Sequence, residues 1–253
     1  MISRCQQGSD EWVALRVGRI TASRIVDVLS FNQPSAAQAK DAGFKLVAQA
    51  MAAGIVGKES GARSEYRWEL AAERLTGQPR ETTAAYAKRV QWGTEHEPHA
   101  RGLYEVEAGV MVDRIGFITH PDMDYAGGSP DALVGGHGVL EIKCPDTITH
   151  LKWMEAGVVP EEHEPQCMFN IACGECDWCD FMSYDPRLPE DLRKFIVRLP
   201  RDEKRIAHIE REVKVFHESI EDLIGSLRHP ISRVHCPISL NDKLRASLEL
   251  VPA

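Results

Sequence analysis

The hydrophobic pattern of the chain changes near residue 110. Before that point, short amphipathic segments and an alanine-rich stretch predict helices, separated by glycines and prolines. Gly18 ends the first helix, and Thr21 is placed to be the N-cap of the second. Pro98 falls in the first turns of the last helix, where proline is tolerated. The predicted helices of this region span residues 10–16, 22–29, 36–53, 64–75 and 93–108.

Beyond residue 110, alternating segments joined by turn residues predict strands, and further helices follow them. The predicted strands span residues 110–119, 125–134, 139–144, 178–184 and 195–199. The predicted helices span residues 147–155, 162–173 and 201–227, with one more in the tail beyond Pro237. This order predicts an α/β fold with one central mixed β-sheet flanked by helices and a helical N-terminal region.

Length and composition limit the class of protein. A chain of 253 residues suggests a single domain, with a mainly helical part over 1–90, a core over 91–200 and a helical part over 201–253. No run approaches the roughly 18 apolar residues of a membrane span, and the first residues lack the apolar core of a signal peptide. The seven cysteines are an odd number, which argues against a secreted disulfide framework. We therefore expect a cytoplasmic protein.

One short pattern points to chemistry: Ser129, Pro130 and Asp131 are followed by Glu141 and Lys143. Two hard carboxylates can hold Mg²⁺ through oxygen ligands. Side chains two apart on a strand share a face, so Glu141 and Lys143 point into one site. A lysine amine there can orient a water molecule, help to deprotonate it, or offset charge developing on a phosphate. The spacing resembles the PD-(D/E)xK pattern of metal-dependent nucleases, and a solvated hairpin is the alternative.

The same spacing constrains the turn between the two strands. A strict four-residue loop over 135–138 would pair Asp131 with Ile142, whose side chain points to the wrong face. A loop of three or five residues, or a β-bulge, would put Asp131 beside Glu141. A bulge of this kind needs a glycine with positive φ, and three glycines stand in this turn.

The net charge of −8 is unexpected for a DNA-binding protein, because phosphate contacts normally come from basic surface. Either the protein does not bind nucleic acid, or acidic residues crowd a metal site and the outer surface while arginine and lysine line a local channel. Net charge does not decide between these interpretations, since a nuclease site itself needs carboxylates.

Two more polar residues are candidates for the same site. Glu97 lies on a predicted helix that can bring a third carboxylate to the sheet, which would leave room for two metal ions. The alternative for Glu97 is a solvated helix face. Gln166 lies on the helix after the core strands and could orient the attacking water or a DNA phosphate, and the alternative is a surface glutamine.

Cys173, Cys176 and Cys179 form a C-x-x-C-x-x-C pattern, a spacing that can hold zinc or an iron–sulfur cluster. A fourth ligand would have to come from another cysteine or a histidine. The last two cysteines straddle a predicted helix-to-strand turn, and free cysteines are commonly buried as small apolar residues. The pattern therefore favours a structural role.

The N-terminal block has chemistry that suits an anion. Arg16 offers a planar fork for phosphate oxygens, Ser23 offers a hydroxyl, and a helix that begins after Thr21 would offer free N–H groups. An ordinary pair of capped helices is the alternative.

In their order along the chain, these motifs resemble the bacteriophage lambda exonuclease family, the YqaJ-type viral recombinases, over about residues 7–227. The cysteine pattern is not part of the lambda pattern, and Met168 stands where the family often has a second glutamine. The matching segments are Gln7-Gly8-x-Asp10-x-Trp12, Leu15-Arg16-x-Gly18-x-Ile20-Thr21-Ala22-Ser23, Trp92-Gly93-x-x-x-Glu97, Ser129-Pro130-Asp131, Leu140-Glu141-Ile142-Lys143-Cys144-Pro145, Tyr184-Asp185-Pro186-Arg187 and Asp202-Glu203-Lys204.

The resemblance implies a PD-(D/E)xK nuclease domain that acts as a Mg²⁺-dependent 5′-to-3′ exonuclease on linear double-stranded DNA. It implies two metal ions, with Mn²⁺ able to substitute for Mg²⁺, and a product with a 3′ overhang. By position, the implied catalytic residues are Asp131, Glu141, Lys143, Glu97 and Gln166, the implied metal ligands are Asp131, Glu141, Ile142 and Glu97, and the implied ligands of the terminal 5′-phosphate are Arg16 and Ser23.

The resemblance also implies a homotrimeric ring around DNA, a single-strand annealing protein as partner, and a phage or prophage gene expressed in a bacterial host. Two rival interpretations stay open. One is an iron–sulfur nuclease of the CRISPR-adaptation type, and the other is a DNA-end-binding protein without turnover.

Overall fold

The computed structural model describes residues 1–81 and 84–229. The predicted helix beyond Pro237 lies outside the described residues. The strands are β1 (Ile2–Ser3), β2 (Ile20–Thr21), β3 (Val112–Asp113), β4 (Phe117–Thr119), β5 (Ala126–Gly128), β6 (Ala132–Val134), β7 (Gly138–Lys143), β8 (Trp178–Tyr184) and β9 (Lys194–Pro200). The helices are α1 (Asp10–Arg16), α2 (Ile25–Val28), α3 (Ala36–Asp41), α4 (Val47–Ala52), α5 (Gly61–Thr76), α6 (Ala84–Ala108), α7 (Thr147–Ala156), α8 (Glu164–Gly174) and α9 (Glu203–Arg228).

The core is a five-stranded sheet in the order β3-β6-β7-β8-β9. It is mixed, as predicted, because β7 runs parallel to β8 while the other neighbouring pairs are antiparallel. A second, smaller sheet with the order β1-β4-β5-β2 was not predicted. The predicted strands over 110–119 and 125–134 are each divided between the two sheets, the first into β3 and β4 and the second into β5 and β6.

The break in these strands lies at the Ser-Pro-Asp motif. Val112 lies opposite Val134 in the large sheet, and Ile118, six residues later, lies opposite Gly128, six residues earlier, in the small one. The two pairs therefore share one register and form a single interrupted ribbon. Pro130 falls in the interruption, where it has no N–H to donate to a ladder. The expectation that each of the segments 110–119 and 125–134 forms one uninterrupted strand was wrong for this reason.

Helices cover both faces of the large sheet. Along β7, Val139 packs in the larger core cluster with α8, whereas Leu140 and Ile142 pack in a second cluster with Ala100 and Tyr104 of α6. Because alternate residues of a strand share a face, Glu141 is on the same side as Val139 and faces α8.

The last of the described helices, α9, closes the larger cluster with one apolar face. Tyr66 of α5 stacks on Phe216 of α9 with ring centroids 5.5 Å apart. The buried positions of α9 recur every three or four residues, which is typical of an amphipathic helix. They are Ile206, Ile209, Val213, Phe216, Ile220 and Ile224.

Three helix predictions need correction. The predicted helix over 36–53 is divided into α3 and α4, and Gly43 between them has a φ of 86°, a conformation that ends a helix. The long helix α6 begins at Ala84, so Pro98 lies in its interior rather than in its first turns. The predicted helix over 22–29 begins as a 3₁₀ turn, Ala22–Arg24, without a side-chain cap from the residue before it. No helix in the described part is long and apolar enough to cross a membrane.

Candidate active site

A three-residue turn sets the register of the hairpin that carries the motif. Gly135 and Gly136 have φ angles of 58° and 76°, in the left-handed region that glycine adopts without strain. Ala132 pairs with Leu140 across β6 and β7, so the residue before Ala132 is opposite Glu141. The three-residue loop is one of the alternatives that the sequence left open.

Asp131 lies directly before β6 and is held there by the backbone of β7. Its N–H donates to the Leu140 carbonyl at 3.1 Å, and its Oδ2 accepts the N–H of Ile142 at 2.5 Å. Burial, reinforced by the nearby carboxylates of Glu141 and Glu97, raises the pKa of Asp131 well above its ordinary value. A cation close to Asp131 would stabilise the ionised form of this carboxylate.

Glu141 accepts hydrogen bonds on both carboxylate oxygens, although only 2% of the residue is exposed. Oε1 accepts from Lys143 Nζ at 2.6 Å and from Gln166 Nε2 at 2.6 Å. Oε2 accepts from Asn170 Nδ2 at 2.9 Å. The structure therefore brings Glu141, Lys143 and Gln166 together, and these contacts fix the direction of the buried carboxylate.

Lys143 is a cation between two carboxylates. Burial alone would lower its pKa, but the charges of Glu141 and Asp131 outweigh burial and raise it. The amine is therefore protonated at neutral pH, which suits donation of hydrogen bonds and offsetting of negative charge.

Glu97 reaches the same region from α6, the helix that covers the face of the large sheet opposite to α8. Its Oε1 accepts from Arg101 Nη1 at 2.8 Å. Glu97 and Asp131 both line a cavity of about 310 Å³, and Arg4, Arg101 and Arg114 are among its other lining residues. Two acidic groups next to three basic ones form a cleft that suits a metal ion together with a phosphate.

The donor set fits a divalent cation with hard, oxygen-preferring chemistry. Within the described residues, no group of three His, Cys, Asp or Glu side chains is assembled to hold a metal ion. Mg²⁺ commonly uses only one or two carboxylates together with water and substrate phosphate. Asp131 and Glu141 provide such a pair, Ile142 can add only its backbone carbonyl, and Glu97 is engaged by Arg101. The roles of these residues as ligands stay predictions.

Arg16 and Ser23 meet beside the motif. Arg16 Nη1 donates to Ser129 Oγ at 3.1 Å, and Nη2 donates to Ser23 Oγ at 3.4 Å. The guanidinium lies 4.3 Å from the ring centroid of Trp12. The helix expected after Thr21 begins as a 3₁₀ turn that the Thr21 side chain does not cap. The contacts available to an anion at this place are therefore those of the Arg16 and Ser23 side chains, and their role as phosphate ligands stays a prediction.

Gln7 and Trp12 fill the interruption of the ribbon, a role that sequence reasoning missed. Gln7 Nε2 donates to the carbonyls of Ile115 at 3.1 Å and Pro130 at 2.9 Å. Trp12 Nε1 donates to the carbonyl of Gly116 at 3.0 Å and to the Ser129 hydroxyl at 3.0 Å. Strand groups left without a ladder partner thereby gain side-chain partners.

Asn170 is the other polar contact that sequence reasoning missed. It follows Gln166 by four residues, and that spacing puts both side chains on one face of α8. The spacing was a signal available in the sequence, but nothing there showed that this face of α8 meets Glu141.

The three cysteines of the C-x-x-C-x-x-C pattern are buried and belong to the larger core cluster. Burial raises the pKa of Cys173. A hydrogen bond with Cys167, together with burial, raises the pKa of Cys179. Metal binding requires the thiolate, so the environment favours the apolar, structural role.

Comparisons with known proteins agree with the fold and the motifs. The alkaline exonuclease LHK-Exo from Laribacter hongkongensis is 38% identical, with 87% of this chain and 96% of that chain covered and a TM-score of 0.71. The same enzyme in complex with dAMP gives a TM-score of 0.72 at the same identity and coverage. A phage related exonuclease from Haemophilus somnus, 16% identical over 83% of this chain and 96% of that one, has a TM-score of 0.60 and supports the fold alone.

The curated proteins gave no match. The YqaJ-like viral recombinase domain matches residues 11–177, a segment that contains both the arginine–serine contact and the carboxylate–lysine cluster. The family resemblance drawn from the motifs is thus confirmed, and the chain belongs to the family of YqaJ-like viral recombinase domains.

Proposed function

We propose that this protein is a Mg²⁺-dependent exonuclease that degrades one strand of linear double-stranded DNA in the 5′-to-3′ direction from a 5′-phosphorylated end. The observation that carries the proposal is the link between two sites. Ser129, which contacts Arg16 at 3.1 Å, precedes Asp131 by two residues. A phosphate held by Arg16 and Ser23 would therefore lie close to the carboxylates, as cleavage near a strand end requires.

Each side chain has a task that its contacts support. Asp131 and Glu141 would hold the cation, and Gln166 keeps Glu141 in position. The role of Glu97 toward a second cation follows the family alone, because its carboxylate is engaged by Arg101. A divalent cation at this place supplies Lewis acidity toward the phosphodiester and toward the attacking water. Lys143, which is protonated, offsets the negative charge that develops on the phosphate.

The similarity to LHK-Exo supports exonuclease chemistry, since that protein is an alkaline exonuclease at 38% identity. Its structure with dAMP supports a site of mononucleotide size. The rest of the proposal follows the family: two metal ions, Mn²⁺ as a substitute, a homotrimer, a 3′ overhang passed to a single-strand annealing protein, and a phage or prophage gene acting in the bacterial cytoplasm.

Linear duplex DNA with a label at either end of one strand tests the proposal. The duplex carries a 5′-phosphate or a 5′-hydroxyl, and each reaction contains Mg²⁺, Mn²⁺ or EDTA, with covalently closed circular DNA as control. We expect early release of the 5′ label as a mononucleotide, persistence of the 3′ label, faster digestion of the phosphorylated end, no cleavage in EDTA and an intact circle.

Other outcomes point elsewhere. Stable binding of DNA ends in Mg²⁺ with the DNA intact would identify an end-binding protein without turnover. Early release of the 3′ label would reverse the proposed direction while leaving an exonuclease.

A further inference from the structure

Asn170 is buried beneath the carboxylate cluster and has no exposed surface. Its side chain is 2.9 Å from Glu141 Oε2. An ionised carboxylate only accepts hydrogen bonds, so the amide nitrogen of Asn170 must face Glu141 and the amide oxygen must point away. Glu141 therefore dictates the orientation of this amide.

The amide oxygen of Asn170 is buried and has no hydrogen-bond partner in the structure. It points at Gly128 in β5, where an ideal Cβ would lie 2.1 Å from Oδ1 and 3.3 Å from Cγ. Gly128 is not among the glycines with positive φ, so it is space rather than backbone conformation that requires glycine here. The side chain of Asn170 therefore occupies the space that a side chain at position 128 would need.

Stability accounts for only half of this arrangement, because the amide N–H satisfies the buried Glu141 carboxylate while the amide oxygen has no partner. A buried amide with an unpartnered oxygen is less favourable than an apolar side chain of similar shape. A buried polar group without a partner calls for another explanation. The one hydrogen bond of the Asn170 side chain goes to a carboxylate proposed to hold the cation.

We propose that Asn170 is a positioning residue for the divalent cation, and that Gly128 provides the space it needs. Asn170 fixes Oε2 of Glu141 while Lys143 and Gln166 fix Oε1, so the carboxylate cannot rotate. Groups that orient a metal ligand affect metal affinity as well as activity. This inference rests on the proposed function and assigns a part of the site that the family motifs do not include.

Direct titration of the cation separates positioning from folding. Mn²⁺ is titrated calorimetrically into the full chain without DNA, and thermal midpoints are measured in parallel. We expect Asn170→Ala to weaken Mn²⁺ binding by about tenfold or more. Its effect on the KM for DNA should be small and its effect on kcat large. Asn170→Ser, which keeps a short donor, should recover part of the affinity.

A double-mutant cycle tests the contact with Gly128. Gly128→Ala should weaken Mn²⁺ binding by displacing Asn170. It should have a smaller further effect in the Asn170→Ala background, where the contact with Asn170 Oδ1 is gone and a contact with the Ala22 Cβ at 3.3 Å remains. Gly102→Ala is the matched control, because a Cβ there meets nothing within 4 Å. If Gly128→Ala does not fold, the comparison of Asn170→Ala with Asn170→Ser still decides.

Two results would overturn the inference alone. One is an Mn²⁺ affinity for Asn170→Ala equal to that of the unmutated protein, whether or not its thermal midpoint falls. The other is simple additivity of the two substitutions. An unmutated protein that neither binds Mn²⁺ nor cleaves DNA would overturn the proposed function together with this inference.

Discussion

At the scale of single residues, the site is organised around Glu141, a carboxylate that is 2% exposed and accepts three side-chain hydrogen bonds. The hydrogen bonds balance the cost of burying its charge, which is large when a charge has no partner. Lys143 gives the only positive charge among them. Despite burial, the charges of Glu141 and Asp131 raise its pKa, and a protonated amine can offset negative charge that develops on a phosphate.

Replacement of the cluster should stop catalysis without unfolding the protein. We expect Asp131→Ala, Glu141→Ala and Lys143→Ala each to lower the cleavage rate of 5′-phosphorylated duplex by a factor of about 100 or more, because each removes transition-state stabilisation of about 3 kcal/mol. Lys152→Ala, an exposed lysine on α7, is the control and should keep full activity. A rate close to that of the unmutated protein in any of the three would place the site elsewhere.

Arg16 should determine the preference for a phosphorylated end. A charge-assisted contact with phosphate contributes about 1.5–3 kcal/mol, so we expect a preference of about tenfold or more that Arg16→Ala removes and Ser23→Ala reduces. The quantity to measure is the ratio of rates on phosphorylated and hydroxyl ends within one variant. This ratio cancels any general loss from the contact between Arg16 and Ser129. Equal rates on both ends for the unmutated protein would contradict the assigned role.

At the scale of elements, the sequence predicts correctly those strands and turns that neighbouring residues define. The strand over 178–184 has its predicted bounds, because a short run rich in aromatic and other apolar residues lies between turn residues. For the turn before β7, the requirement that Asp131 and Glu141 share a face limited the prediction to a loop of three or five residues or a β-bulge.

Prediction failed where partners are distant in sequence. Pro130 interrupts a strand whose partner begins near residue 112, and the filling of that gap by Gln7 and Trp12 links residues more than 100 positions apart. Asn170 was missed for the same reason, since its role depends on how α8 lies against β7. Periodicity describes which face of an element is apolar, but not what that face meets.

The Tyr184–Arg187 segment anchors α7 through a buried charge. Asp185 is fully buried and accepts from Thr147 Oγ1 at 2.6 Å and from Arg187 Nε at 2.7 Å. Burial would raise the pKa of Asp185, but these hydrogen bonds outweigh burial and lower it to about 2 from 3.8.

Asp185 should therefore make the folding stability depend on acid. Because its pKa is lower in the folded chain, its contribution is complete above about pH 4 and is lost as the pH falls toward 2. We expect Asp185→Asn to reduce the free energy of unfolding by about 2 kcal/mol at pH 7. The loss should be much smaller near pH 2. Urea titrations at both pH values measure it, and the exposed Asp191→Asn is the control. An equal loss at both values would mean that charge is not the cause.

The cysteine pattern is expected to be structural. We predict that simultaneous Cys→Ser replacement of Cys173, Cys176 and Cys179 leaves nuclease activity largely intact and lowers stability by about 1–3 kcal/mol for each hydroxyl that is buried. Metal analysis of the purified, unmutated protein is the companion measurement. Stoichiometric zinc or iron would contradict the prediction, and a yellow-brown colour would favour the iron–sulfur interpretation.

At the scale of the whole molecule, the net charge of −8 has to be reconciled with DNA as substrate. The cleft beside Asp131 includes the side chains of Arg4, Arg101 and Arg114, although Arg4 is paired with Asp113 and Arg101 with Glu97. Basic groups are thus present locally in an acidic protein. A cleft of this kind would hold DNA weakly on its own, because few counterions are released.

A closed ring would overcome weak binding, and we predict a homotrimer with DNA in its channel. A ring retains its substrate topologically, so modest phosphate contacts suffice for processive digestion, and cyclic symmetry closes the assembly. Light scattering should give a mass near three times the 28.3 kDa of one chain. With excess unlabelled duplex added after the start of digestion, strands already engaged should be degraded over long stretches. A monomer at micromolar concentration that releases only a few nucleotides per encounter would exclude the ring, and the nuclease proposal would then stand on its site alone.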